Sequence, residues 1–176
     1  YIDESSPKIT RVIVHGNNAR QGGGVSIYNS TSEISHVIIR NNTAQPYFGG
    51  GIAIGSAPTA TINGHITNAL IINNIAEDRG GGIYNGNYGS AEPELANVTI
   101  SNNSAASGGG MYTLAGYVKI SNSILWGNQK SGNAAVYGAD IQNASSTGVT
   151  LRNSITQVYD TGNPADNNFT GSDPLF

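Results

Sequence analysis

The feature that most constrains this chain is a triple glycine that returns at nearly regular intervals. The triplets occupy residues 22–24, 49–51, 80–82 and 108–110, and an apolar residue follows each of them. Their starting points are 27, 31 and 28 residues apart. Self-similarity at such a period is typical of solenoids, in which each repeat is one supersecondary unit that stacks on its neighbours. We therefore expect a repeat protein.

An asparagine ends an apolar segment ahead of every triplet. These corner asparagines are Asn17, Asn42, Asn74 and Asn103, and a fifth copy ends at Asn128 before the altered motif Gly138-Ala139-Asp140-Ile141. Counted from them, position −3 holds Val14, Ile39, Ile71, Ile100 and Leu125, position −5 holds Val12, Val37, Ala69, Val98 and Ser123, and position −8 holds Ile9, Ile34, Ile66, Leu95 and Ile120. Positions −3 and −5 share the two-residue period of a strand, so both face inward. The step to position −8 breaks that period and predicts a bend or bulge.

The columns next to the corner asparagines predict turn geometry. Position −1 is always Gly or Asn, the residues that enter the left-handed backbone region at least cost, so we expect a positive φ there. Stacked strands would place the corner amides about 4.8 Å apart, close enough to hydrogen-bond as a ladder. Position −6 holds Asn68, Asn97, Asn122 and Asn153, which predict a second, partial ladder.

These columns together predict an all-β fold, a single-stranded parallel β-helix of about five to six coils. Right-handed winding follows from the crossover rule for parallel strands. The coils span about residues 8–34, 35–65, 66–95, 96–118, 119–149 and 150–176, all within one domain, residues 1–176. We expect this domain to be a fragment of a larger protein.

Composition excludes several classes of function. Only 11% of residues are charged and the net charge is −3, so there is no basic footprint for nucleic acid. The chain has no cysteine, which rules out disulfides and thiolate metal sites. No apolar run reaches the roughly 20 residues needed to span a bilayer.

The repeat motifs resemble those of chlamydial polymorphic outer-membrane proteins, in which Gly-Gly-Ala-apolar alternates with aromatic-x-x-Asn. Here the forms are Gly-Gly-Gly-Ile/Val/Met and Val/Ile/Leu-x-x-Asn, over most of residues 8–155. The chain is also similar to right-handed β-helix repeats of large bacterial surface proteins, through Ser-Ile-Leu-Trp-Gly-Asn at 123–128 and Gly-Ser-Asp-Pro-Leu-Phe at 171–176. The resemblance implies a β-helix at or outside the cell surface, as in adhesins and passenger domains.

One charged column is the main candidate for chemistry. Position −9 holds Lys8, Glu33, His65, Glu94 and Lys119, so His65 would lie between two carboxylates on adjacent coils. Such an arrangement could bind a cation or transfer a proton. Alternating charges on a solvent-facing sheet would produce the same column. We favour the second interpretation and predict no catalytic residue, metal site or cofactor.

Candidate ligand-binding residues lie elsewhere. Glu77, Asp78 and Arg79 form a charged loop near Tyr47 and Phe48, and Tyr84 and Tyr112 follow the glycine motif at matching places on neighbouring coils. Stacked tyrosines could bind sugar rings or simply stabilise the sheet. If positions −2 and −4 face solvent, Leu70, Ile72, Ile124 and Trp126 form an apolar stripe on the outer surface. Trp126 lies at the end of this stripe.

We therefore expect a non-catalytic structural or adhesive module of a secreted or cell-surface bacterial protein. Its partner would be a glycan or a protein of a host or cell surface, with no nucleic acid and no membrane insertion. The alternative is a carbohydrate-binding or polysaccharide-degrading domain.

Overall fold

A computed structural model describes residues 1–57, 64–87, 92–131, 139–144, 148–157 and 169–170. The regular structure in these ranges is β-strand throughout, and the strands stack in parallel as a β-solenoid of about five turns. The predicted fold class is confirmed. The right-handed winding and the boundaries of single coils stay predictions.

Within the described residues, twenty-one strands make up the solenoid. In chain order they are β1 Ile2–Asp3, β2 Lys8–Thr10, β3 Ile13–His15, β4 Asn18–Ala19, β5 Val25–Tyr28, β6 Glu33–Arg40, β7 Thr43–Ala44, β8 Ile52–Ser56, β9 His65–Ile72, β10 Ile75–Ala76, β11 Ile83–Asn87, β12 Glu94–Ser101, β13 Ser104–Ala105, β14 Met111–Thr113, β15 Val118–Ser121, β16 Ile124–Trp126, β17 Gln129–Lys130, β18 Ile141–Asn143, β19 Val149–Arg152, β20 Ile155–Thr156 and β21 Phe169–Thr170.

Three parallel sheets form the sides of the solenoid. The glycine sheet follows the triplets and contains β1, β5, β8, β11, β14 and β18. The long sheet precedes the corner asparagines and contains β2, β3, β6, β9, β12, β15, β16, β19, β20 and β21. The short sheet directly follows the corner asparagines and contains β4, β7, β10, β13 and β17. Coil 1 runs from β2 to β5, coil 2 from β6 to β8, coil 3 from β9 to β11, coil 4 from β12 to β14 and coil 5 from β15 to β18.

The predicted inward columns form the core. At position −3, Ile39, Ile71, Ile100 and Leu125 are fully buried, and the residues at positions −5 and −8 in coils 2 to 5 are buried too. Val12 was predicted to face inward, but it is 40% exposed. The physical reason is that coil 1 stacks on only one neighbour in the long sheet, coil 2.

Left-handed residues produce the bend between positions −8 and −5. Position −6 has a positive φ, between 48° and 56°, in coils 1 to 5 and again directly after β19, at Arg11, His36, Asn68, Asn97, Asn122 and Asn153 in turn. Position −1 also has a positive φ throughout, as predicted. In coils 2 to 4 the chain passes through the bend without leaving the strand, so two predicted strands are one bent strand of eight residues. The short sheet was not predicted.

Each glycine of a triplet meets a different requirement. The first has a positive φ, such as 72° at Gly49. A Cβ on the second would collide with backbone of the next coil, 2.4 Å from the Ile75 carbonyl oxygen in the case of Gly50. A Cβ on the third, Gly51, would lie 2.6 Å from the Gly82 carbonyl oxygen of the next coil and 3.1 Å from the Nδ2 atom of Asn74. The third glycine therefore leaves room for the next backbone and for the corner asparagine.

The corner asparagines form a continuous amide ladder, as predicted. The Nδ2 group of Asn17 donates to Oδ1 of Asn42 at 2.9 Å, and the next three steps, through Asn74 and Asn103 to Asn128, are each 3.0 Å. Each Oδ1 also accepts the backbone N–H of the preceding asparagine at 2.9–3.1 Å. The last four asparagines are fully buried, so this pairing satisfies amides that would otherwise destabilise the core.

The predicted second ladder is a weaker feature. Asn97 Nδ2 lies 3.4 Å from Asn68 Oδ1, and Asn153 Nδ2 lies 3.5 Å from Asn122 Oδ1, both on the exposed surface. These distances are at the limit of a hydrogen bond. The asparagines at position −6 therefore matter mainly because they adopt the left-handed conformation cheaply.

Candidate functional site

The charged column of position −9 is in register on the outer face of the long sheet. Its neighbours pair directly, Lys8 with Glu33, Glu33 with His65, and His65 with Glu94. Lys8 Nζ lies 3.1 Å from Glu33 Oε2, and His65 Nδ1 lies 3.4 Å from Glu94 Oε2. Between about half and two thirds of each of these side chains is exposed. The column is thus a set of solvated pairs on a flat sheet.

Lys119 completes the column at its other end. It is in register with Glu94, but its Nζ donates a 2.6 Å hydrogen bond to Glu92 Oε2. This hydrogen bond, reinforced by the carboxylate charge, raises the pKa of the Lys119 ammonium above its ordinary value. The ammonium therefore remains charged at neutral pH, as in a surface ion pair.

The predicted outward stripe also lies on the long sheet. Position −4, which we call the apolar row, is in register from coil to coil and consists of Ile13, Ile38, Leu70, Thr99, Ile124 and Ile155. Ile13 is 56% exposed and the others are half-buried. Trp126 is half-buried beside this row and pairs with Ser101. Positions −4 and −2 thus face solvent rather than the core.

A second cluster, the aromatic corner, lies where the loops before the glycine motif stack. It consists of Arg20, Tyr47, Phe48 and Arg79, with Tyr84 and Tyr112 beneath them. Phe48 stacks on Tyr84 with ring centroids 4.0 Å apart, and Tyr84 is nearly parallel to Tyr112 at 6.0 Å. The guanidinium carbon of Arg79 lies 5.2 Å from the centre of the Tyr112 ring, within cation–π range.

Most of the predicted ligand-binding residues meet at this corner. Asp78 Oδ2 lies 3.4 Å from Arg79 Nε, and Glu77 is exposed on the same loop. Tyr84 and Tyr112 are only 5% and 6% exposed, so they support the rings and guanidinium above them rather than presenting open faces. Trp126 belongs to the long sheet and not to the corner. Ligand binding by any of these residues stays a prediction.

Sequence reasoning missed the contacts that assemble the corner. Arg20 lies 5.2 Å from the Tyr47 ring centre and donates a 3.0 Å hydrogen bond to the Tyr47 hydroxyl. Arg20 and Arg79 thus each contact an aromatic ring of the following coil. Arg20 lies two residues before its glycine triplet and Arg79 lies one residue before its own. This similar placement was the sequence signal that could have indicated the contacts.

The described part of the chain has neither a metal-binding cluster nor a membrane-spanning helix. Across those residues, no three His, Asp or Glu side chains group closely enough to hold a metal ion. The same ranges contain no helix long and apolar enough to cross a membrane.

Comparison of the chain with protein-family models, with curated proteins and with solved structures gave no match.

Proposed function

We propose that this chain is a non-catalytic adhesive module, part of a larger secreted or surface-anchored bacterial protein. The single observation that carries the proposal is the aromatic corner, where rings and guanidinium groups from several coils converge on the outside of a rigid stack. Tyr and Arg are the side chains that most often dominate binding energy at interfaces. Tyr47 is 41% exposed and the Arg79 side chain 37%, which leaves contact area for a partner.

The corner is preorganised, which favours binding. Phe48 is held by its stack on Tyr84, and Arg79 is held between the Tyr112 ring and Asp78. A side chain fixed before the partner arrives loses less conformational entropy on binding. The solenoid therefore acts as a scaffold that positions contact groups contributed by successive coils.

Carbohydrate binding is the second candidate function, and the aromatic rings favour it because their faces can stack on sugar rings. Degradation of polysaccharide is less well supported. Glycosidic hydrolysis normally needs two carboxyl groups flanking the scissile bond, one of them held in its protonated form. Glu33 and Glu94 instead lie half exposed on a flat sheet, and each has a basic partner close by.

Attachment and turnover can be measured in one assay. Fluorescent beads coated with the chain are added to bacterial and mammalian cell layers, bound beads are counted, and the medium is assayed for released sugars. We expect attachment without sugar release. The double variant Tyr47→Ala/Arg79→Ala should lose most attachment, because both side chains are exposed at the corner.

Tyr117→Ala is the matched control, since Tyr117 is 50% exposed and lies outside the aromatic corner. It should attach as the parent chain does. Sugar release, or failure of the parent chain to attach to any of the cells, would contradict the proposed function. Equal loss in the control and the corner variant would show that the corner is not the contact surface.

A further inference from the structure

A groove crosses the outer face of the glycine sheet beside the aromatic corner. Its volume is about 220 Å³, and the rings of Tyr28, Phe48 and Tyr84 line it. These three rings come from coils 1, 2 and 3 respectively. Gly55 and Gly86 lie between them, and Gln21 adds a polar side chain.

The depth of the groove comes from small residues placed between large ones. Tyr28 in coil 1 pairs in register with Gly55 in coil 2, and Gly55 pairs with Gly86 in coil 3. Ala53 of coil 2 likewise pairs with Tyr84 of coil 3. Coil 2 therefore carries no large side chain at the two outward positions where the flanking coils carry tyrosines.

A tyrosine ring lies over each of the two glycines. A Cβ at Gly55 would lie 3.2 Å from Cδ2 of Tyr28, and a Cβ at Gly86 would lie 2.6 Å from Cε1 of Tyr84. Any side chain at Gly86 would displace the Tyr84 ring. A side chain at Gly55 would instead occupy the groove, because the backbone there is an ordinary strand and Tyr28 has only to shift slightly.

One polar side chain of the groove can reach a ligand. Gln21 is half-buried, and its amide both donates and accepts hydrogen bonds. Ser56 also borders the groove, but its side chain shares the inward face of the strand with Ile52 and Ile54, and its Oγ is buried.

We propose that this groove binds one neutral pyranose ring of a carbohydrate chain. The inference rests on the proposed adhesive function and names a ligand class for it. The apolar face of the sugar contacts the half-buried rings of Tyr28 and Phe48, while its hydroxyl groups pair with the Gln21 amide. The volume is below the roughly 300–1,000 Å³ typical of pockets for drug-sized ligands, which suits a single ring.

The charge of the lining selects among sugars. Every side chain that contributes to the groove, within the part of the chain described, is uncharged. A carboxylate or sulfate group placed there would lose water without gaining a cationic partner, which is costly. The groove therefore favours neutral sugars over uronic acids and sulfated sugars.

Calorimetric titration tests the proposal directly. The probes are neutral hexasaccharides of glucose, xylose, mannose and N-acetylglucosamine, with hexagalacturonate as the charged comparison. At least one neutral probe should bind the parent chain. Tyr28→Ala and Gly55→Val should each weaken that binding at least about tenfold, the first by removing a ring and the second by filling the groove.

The controls separate this inference from the adhesive function. Tyr117→Ala should bind as the parent does, and thermal melting of each variant checks that it is folded. The groove inference is overturned if no neutral probe binds, if hexagalacturonate binds best, or if Tyr28→Ala and Gly55→Val bind normally. None of these results affects the bead assay, whose variants at Tyr47 and Arg79 decide the adhesive function independently.

Discussion

Asp140 ends the amide ladder. It occupies the position that the third glycine of the triplet has in earlier coils. In coil 4, a Cβ at Gly110 would come within 2.8 Å of Asn128 Nδ2, so the third glycine clears space for the ladder. At the next coil the ladder needs an acceptor instead. Asp140 supplies that acceptor, since its Oδ1 takes the Asn128 Nδ2 hydrogen bond at 2.8 Å.

Removal of the Asp140 carboxylate should destabilise the end of the solenoid. Its Oδ2 also accepts the Gln157 backbone N–H at 2.7 Å, so Asp140→Ala removes one of the two acceptors of Asn128 Nδ2 and leaves the Gln157 N–H only a longer bond, 3.3 Å, to the Leu125 carbonyl oxygen. We expect a loss of about 1–3 kcal/mol in the free energy of unfolding, measured by urea denaturation. Asp140→Asn keeps one acceptor oxygen and should lose less. Equal stability of Asp140→Ala and the parent chain would show that the carboxylate does not satisfy the ladder.

Among the elements, the bend of the long sheet shows where sequence reasoning succeeds and where it ends. The spacing of three residues between positions −8 and −5 predicted a bend, because side chains at both positions must face the core and a straight strand would turn one of them outward. Asn68, Asn97 and Asn122 were seen as a column, but Arg11 and His36 in the same column were not linked to it. Their side chains do not indicate a positive φ, which stacking on the neighbouring coils imposes on them.

Other elements lacked any periodic signal. The short sheet consists of strands of two residues, too short to show an alternation. The groove is assembled from three coils, and its shape depends on Gly55 and Gly86 as much as on the rings. Alignment on the third glycine of each triplet places Tyr28, Gly55 and Gly86 in one column, and that alignment was the signal that could have revealed it.

The bend predicts a stabilising substitution. His36 is exposed and has a φ of 55°, a conformation that asparagine adopts more cheaply than histidine does. We expect His36→Asn to raise the free energy of unfolding by about 0.5–1 kcal/mol, as measured by chemical denaturation. The same substitution at His15, an exposed strand residue without a positive φ, is the control and should not stabilise. A gain at His15 equal to that at His36 would argue against a conformational cause.

For the whole molecule, each coil buries its apolar side chains by stacking on its neighbours, because a single coil cannot bury them alone. Ile39, Ile71 and Ile100 in the middle coils are fully buried, whereas Val14 in coil 1 remains partly exposed. Stability is then a sum over interfaces between adjacent coils. The positions of the ladder, the charged column, the aromatic corner and the groove all follow from one register of stacking.

Disulfide trapping tests that register most directly, because the chain has no cysteine of its own. Ser35 and Thr67 are register partners on the outer face of coils 2 and 3, at a strand spacing of about 4.8 Å that a disulfide can bridge. Leu70 lies three residues further along the same strand, roughly 10 Å away. We predict that Ser35→Cys/Thr67→Cys cross-links on mild oxidation and that Ser35→Cys/Leu70→Cys does not. Preferential cross-linking of the second pair would contradict the stacking on which every site described above depends.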